Sequence, residues 1–151
     1  MKAMIVSLSF IVTLLLPVAG ALATQPEAVT IETSRLRGSP GVFTATGGIE
    51  DAGTFTTLDV HASAAGAPTF LIVHATYEFV GEHGTFTMRL QIKETVTADS
   101  NVFTGNGVWV ILSGTGAYAS LHAEGTVSGV TDENPEPDLF DRTFTGKAHV
   151  D

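Results

Sequence analysis

Residues 84–98, GTFTMRLQIKETVTA, alternate in character almost without a break. Phe86, Met88, Leu90, Ile92 and Val96 fall on one parity, and Thr85, Thr87, Arg89, Gln91, Lys93, Thr95 and Thr97 on the other. In a strand, successive side chains point to opposite faces, so this pattern describes a strand with one side in a core and one in water. Nowhere after residue 23 do apolar residues recur at i, i+3, i+4, i+7 over three turns. An all-β fold is the direct consequence.

The remaining strands follow from β-branched and aromatic runs bounded by glycine, proline and acidic clusters. They are expected over residues 29–36, 41–47, 54–63, 69–80, 108–112, 123–130 and 139–150. Gly38-Ser39-Pro40-Gly41 breaks the first from the second, and Gly47-Gly48 with Glu50 to Gly53 is read as the next turn. Gly114 and Gly116 punctuate a compact crossover through Tyr118 and Leu121. An acidic, proline-containing loop (residues 131–138) precedes the last strand, which carries Phe140, Phe144, Ala148 and Val150 on one face with Arg142 among them.

Burial restricts the register. Leu71, Val73, Ala75, Tyr77 and Phe79 form the heavier apolar face of the strand before Gly81, and they must meet the face of Met88, Leu90 and Ile92. Only a two-residue loop, Glu82-His83 or His83-Gly84, sets odd residues beside even ones; a three-residue loop turns one face to solvent. His83 is then a turn residue. Across Asp99-Ser100-Asn101, an exposed Trp109 is the costly alternative, so the inward set is Phe103, Gly105, Gly107, Trp109 and Ile111. A loop of two or four residues follows, with Glu94 opposite Gly105 or Gly107. About eight strands joined by short turns argue for a single antiparallel β-barrel, because closure removes strand edges. A two-sheet β-sandwich is the alternative architecture.

The chain opens with Lys2, an apolar run from Met4 to Val18, Pro17 and then Ala21-Leu22-Ala23. That is the order of a secretory signal peptide over residues 1–23, with cleavage between Ala23 and Thr24. The run is short of the roughly 20 apolar residues of a membrane span. No twin arginine and no cysteine follows it, so neither a Tat route nor a lipid anchor is expected. Removing the leader takes Lys2 with it and leaves one domain, residues 24–151, with six basic and sixteen acidic side chains, a formal charge of −10. Nucleic acid and anionic membrane both require a basic face and are not expected partners. There is no cysteine, so stability rests on burial and backbone pairing.

The run GTFTMRLQIKETVTADSNVFTGNGVWVILSGTGAYASLHAEGTVSG, followed by RTFTGKAHVD, resembles small exported bacterial proteins of the allene-oxide-cyclase barrel-like group. The resemblance covers residues 84–151 and is most specific in GNGVWVILSGTGAYASLHAEGTVSG. It implies a calycin-like antiparallel barrel of eight strands. It implies no cyclase activity, since that enzyme's catalytic residues have no match here.

No catalytic or metal constellation stands out. His61, His74, His83, His122 and His149 are scattered without ligand spacing, and no Gly-x-Ser-x-Gly elbow occurs. Ser113 to Gly116 is glycine-rich but lacks the following helix of a phosphate loop. No cofactor is expected. Glu94 and Arg142 are charged residues on core faces, with Gly105 and Gly107 leaving space beside Glu94. Tyr77, Leu90, Glu94, Trp109 and Arg142 are therefore the candidate lining of an interior cavity that takes a small apolar ligand. A cyclase or isomerase acting on such a substrate, and a purely structural extracellular or envelope role, are the alternatives. The leader reading has its own test: secreted material should begin at Thr24 by intact-mass analysis, and retention of residues 1–23 refutes it.

Overall fold

The computed structural model describes residues 25–64 and 70–151. The expected leader and its cleavage point at Ala23 and Thr24 lie outside the described residues. The described chain forms eight strands: β1 Glu27–Leu36, β2 Gly41–Gly47, β3 Asp51–Ala64, β4 Phe70–Gly81, β5 Thr85–Val96, β6 Val102–Gly114, β7 Leu121–Asp132 and β8 Leu139–Val150. A 3-10 turn, Gly116–Tyr118, lies between β6 and β7. Each strand pairs antiparallel with the next, and β1 pairs with β8 from Glu27 opposite Ala148 to Leu36 opposite Leu139. The sheet is a closed barrel, which removes the sandwich alternative.

The expected parity is realised. Gly81 donates its N–H to the Gly84 carbonyl at 2.9 Å, so Glu82-His83 is the two-residue loop. Phe79 then lies opposite Phe86, Tyr77 opposite Met88 and Ala75 opposite Leu90. A four-residue loop joins β5 to β6, with Thr97 donating to the Val102 carbonyl. Glu94 faces Gly105 and Leu90 faces Trp109. Trp109 is buried at 3 % exposure, whereas Val108 on the rival face is 57 % exposed. Its indole N–H reaches the carbonyls of Thr126 (3.0 Å) and Thr145 (3.2 Å), the partner that a buried tryptophan needs.

Two boundaries differ from the sequence reading. β3 begins at Asp51, because Asp51 and Ala52 already pair with Ala45 and Thr44, so the turn before it is only Gly48 to Glu50. β6 runs unbroken from Val102 to Gly114, longer than the apolar run at its centre, because its glycines also pair with β5 and β7. Two bulges interrupt the ladders, at Leu58 in β3 and at Leu112 in β6. Each places its leucine outside the barrel, 56 % and 49 % exposed. A bulge adds one residue to one strand and sharpens its twist, which helps a sheet to close.

The interior is filled by side chains. Phe79 and Phe86 stack at 4.6 Å, with Phe43 edge-on to Phe79 at 5.1 Å and Tyr118 edge-on to Phe86 at 5.5 Å. The space expected beside Gly105 is occupied: a methyl group there would meet the Ile92 side chain and come within 3.3 Å of Glu94 Cγ. At Gly129 it would lie 2.6 Å from Arg142 Cδ. These glycines make room for their neighbours' side chains.

One end of the barrel is closed by Asp51. Its carboxylate is completely enclosed. It accepts from the Tyr118 hydroxyl (2.6 Å) and from the amides of Ala52 (2.7 Å), Glu82 (2.9 Å) and His83 (3.2 Å). One side chain thus ties the β4–β5 turn and the 3-10 turn to the start of β3. Burial pushes the Asp51 carboxyl upward, but the hydrogen bonds from Tyr118, Glu82, His83 and Ala52 outweigh it and hold the group below its ordinary 3.8. Burial, then Asp51 itself, pushes the Tyr118 phenol well above its ordinary value. The stability that Asp51 contributes is therefore present above the unfolded carboxyl value and lost as pH falls through the lower folded one. Asp51→Asn should cost about 2 kcal/mol in urea unfolding at neutral pH, since hydrogen bonds to a charged group are the stronger kind. The variant should also lose part of the wild-type destabilisation seen on acidification below the ordinary carboxyl value.

Candidate functional site

The opposite end, where the β1–β2, β5–β6 and β7–β8 connections lie, is built differently. The four buried polar residues, Thr33, Glu94, Thr131 and Arg142, are all connected there. Arg142 Nη2 pairs with Glu94 Oε1 and donates to Thr131 Oγ1 at 2.6 Å, and the Thr131 hydroxyl donates to Glu94 Oε1 at 2.9 Å. Arg142 Nη1 donates to the Val130 and Asp141 carbonyls. Thr33 in turn donates to the Arg142 carbonyl at 3.2 Å. Among the described residues no buried side-chain nitrogen or oxygen lacks a partner. Inward parity puts these residues together: Thr33 faces Arg142 across β1 and β8, and Gly129 faces Arg142 across β7 and β8.

Burial draws the Arg142 guanidinium below its ordinary value, opposed by the charge of Glu94 and then by Tyr77. The Tyr77 phenol is raised, first by burial, with Arg35 and Arg142 opposing. Tyr77, Glu94 and Arg142 are thus one electrostatic neighbourhood, as inward parity requires. Leu90 and Trp109 pair with each other in the hydrophobic core, where Trp109 meets Phe144 edge-on at 6.2 Å. Both also border a groove of about 1010 Å³ on the outer wall, between His74, Gln91, Val108 and Lys147. Tyr77, Glu94 and Arg142 do not border that groove.

Above the buried pair sits a residue the sequence reading passed over. Arg35 is the last inward position of β1, opposite Phe140. Its guanidinium lies 4.9 Å over the Phe140 ring and 5.7 Å from the Tyr77 ring, and Nη1 donates to Thr57 Oγ1. Arg37 (5.5 Å) and Arg142 (5.9 Å) approach the same Phe140 ring. Three of the chain's four arginines therefore surround one phenylalanine in a strongly acidic protein. Arg37 is neutralised by Asp138 and Glu133, and Arg142 by Glu94. Arg35, half-buried, has no carboxylate partner among the described residues. The alternation Val29, Ile31, Thr33, Arg35 was the signal that could have placed it in the mouth.

Beside Arg35 the wall is incomplete. β2 begins at Gly41, opposite Phe55, so it does not extend alongside Thr57 to Ala64. Past the Leu58 bulge the parity of β3 reverses, and Val60, Ala62 and Ala64 share a face with Ala75, Val73 and Leu71 of β4. Of these six, only Ala75 is buried, and Val60 is 57 % exposed. The β3–β4 arm thus presents an apolar shelf rising from the contact of Arg35 with Thr57 and Tyr77. No family model, curated protein or solved structure matches the chain.

A double-mutant cycle tests the buried pair. Glu94→Leu and Arg142→Met should each cost about 3–5 kcal/mol in chemical denaturation, because each leaves one buried charge alone. The double variant should cost much less than the sum of the two, and additive losses would mean that the pair is not coupled.

Proposed function

We propose that this is an exported barrel that binds a small amphiphilic anion at the polar mouth, with the charged head on Arg35 and the apolar body on the β3–β4 shelf. The observation that carries the reading is Arg35 itself: a half-buried guanidinium held between Tyr77 and Phe140 with no acid partner among the described residues. A guanidinium in this setting is a donor fork for a carboxylate or phosphate, and two aromatic rings hold it in place. Apolar area covered on the shelf contributes roughly 25 cal/mol per Å².

The reading puts the ligand at the rim, and it is supported by the aromatic and aliphatic side chains in the lumen and by the pairing of Glu94 with Arg142. It also favours binding over chemistry. Glu94, the carboxylate that a cyclase or isomerase would call on, is engaged by Arg142 and Thr131. The eight-stranded closed barrel agrees with the architecture implied by the resemblance to the allene-oxide-cyclase barrel-like group, and membership and secretion belong to the same proposal.

Calorimetric titration with decanoate and decanol separates head from tail. Decanoate should bind the wild type, and Arg35→Gln should weaken it about tenfold or more, the loss of a charge-assisted contact. Decanol should bind the wild type correspondingly weakly. Arg37→Gln, which removes a residue already paired with Asp138, should leave decanoate affinity nearly unchanged. Equal affinity of wild type and Arg35→Gln for decanoate, or no binding at all, overturns the proposal.

A further inference from the structure

From the free edge of β3 we infer that the chain forms a two-fold symmetric dimer by antiparallel pairing of β3 with β3 of a second copy, centred on Val60. A barrel normally has no strand edge to offer. Here β3 pairs with β4 along its whole length but with β2 only from Asp51 to Phe55. Beyond Phe55, no described strand lies on the other side of β3. From Asp59 to Ala64 the ladder with β4 is regular, so the opposite edge of this segment is regular as well. The means by which proteins blunt an edge are largely missing: the segment has no proline and no lysine, and its bulge at Leu58 sits at one end. Leu58 and Val60 are among the most exposed large apolar side chains of the described chain.

The occupant follows from symmetry and charge. Antiparallel pairing of identical edges needs a two-fold axis perpendicular to the sheet, which preserves the faces. Residues that stand opposite one another must then share a face, so the axis passes through a residue and not between two. Four such registers exist near the middle of the edge. An axis at Asp59 sets two carboxylates opposite each other. One at His61 sets two imidazoles opposite each other and leaves Asp59 facing Ser63. One at Ala62 sets His61 opposite Ser63 and Val60 opposite Ala64. The axis at Val60 sets Asp59 opposite His61 twice over and Val60 opposite Val60. This register alone sets a carboxylate opposite an imidazole, which can donate a hydrogen bond to it, and sets no like charges together, which selects Val60. Because each copy has a single open edge of this kind among the described residues, pairing closes at two and does not continue into a fibre.

The test is oligomeric state combined with cross-linking. In sedimentation equilibrium over a concentration series, the purified chain should fit a monomer–dimer equilibrium. The Val60→Cys variant should form a symmetric disulfide under mild oxidation, since directly opposed residues in such a ladder have Cα separations within disulfide range. Val80→Cys and Val108→Cys, exposed at positions paired on both sides, should not. Asp59→Lys should raise the dimer dissociation constant about tenfold or more, and D59K/H61E should restore it by re-pairing opposite charges. Asp59 and His61 are exposed, so unchanged melting curves should show that these variants fold. A single species of monomer mass throughout overturns the inference. So does a dimer whose Val60→Cys variant cross-links no faster than the controls, or one that D59K/H61E does not rescue.

Discussion

Closure of the barrel by β1 against β8 is the interaction on which everything else rests. Once ten residues of β1 are paired to β8, there is one interior and one exterior, and every strand must present its apolar parity to the same lumen. A slip of one residue anywhere would expose a whole face. The bulges at Leu58 and Leu112 are where the ladder shifts, and both extra residues go outside. In β6 the shift falls beside the closed end. In β3 it falls where β2 has ended, and the residues beyond it become an arm with an open face and an open edge.

The two ends of the lumen follow from what the sequence places there. Toward the β4–β5 turn the inward residues are Phe43, Phe55, Phe79 and Phe86, which pack ring on ring and leave only the turn amides to be satisfied. Asp51 does that with a single carboxylate, and Tyr118 lies over the stack as the lid. Toward the other end the inward residues are Thr33, Arg35, Glu94, Thr131 and Arg142. A charged pair so deeply enclosed is tolerable because no fully buried polar atom among the described residues lacks a partner, and removing one member exposes the other to the full cost of burial. Arg35 lies one level further out, where solvent reaches it and no acid among the described residues pairs with it.

The net charge bears on that site. The chain is acidic, so an anion approaching from a distance meets repulsion, yet the mouth collects three of the four arginines around Phe140. At short range the local field decides, and at moderate salt the distant carboxylates are screened beyond roughly 8–10 Å. Binding of an anion there would accordingly be less salt-sensitive than steering by a wholly basic surface would be.

Much of the fold was legible in the order of residues. The alternation in β5 marks its inward face, the bulk of Trp109 decides the parity of β6, and the two-residue turn at Glu82-His83 carries that parity back to β4. Strand pairing of neighbours is local, and burial leaves one acceptable parity, so sequence alone determined an all-β meander with Glu94, Trp109 and Arg142 facing inward. It also placed Tyr77 on that face. Three things required the tertiary structure, because each depends on distances between residues remote in the chain. Asp51 is an unremarkable turn acid until the Glu82 and His83 amides and the Tyr118 hydroxyl are brought to it from other strands. The room beside Gly105 and Gly129 is a void or a packed space according to where the side chains of Ile92, Glu94 and Arg142 settle. And the length of β2 relative to β3, which no propensity specifies, decides that Arg35 faces an open wall and that the far half of β3 has an edge to share.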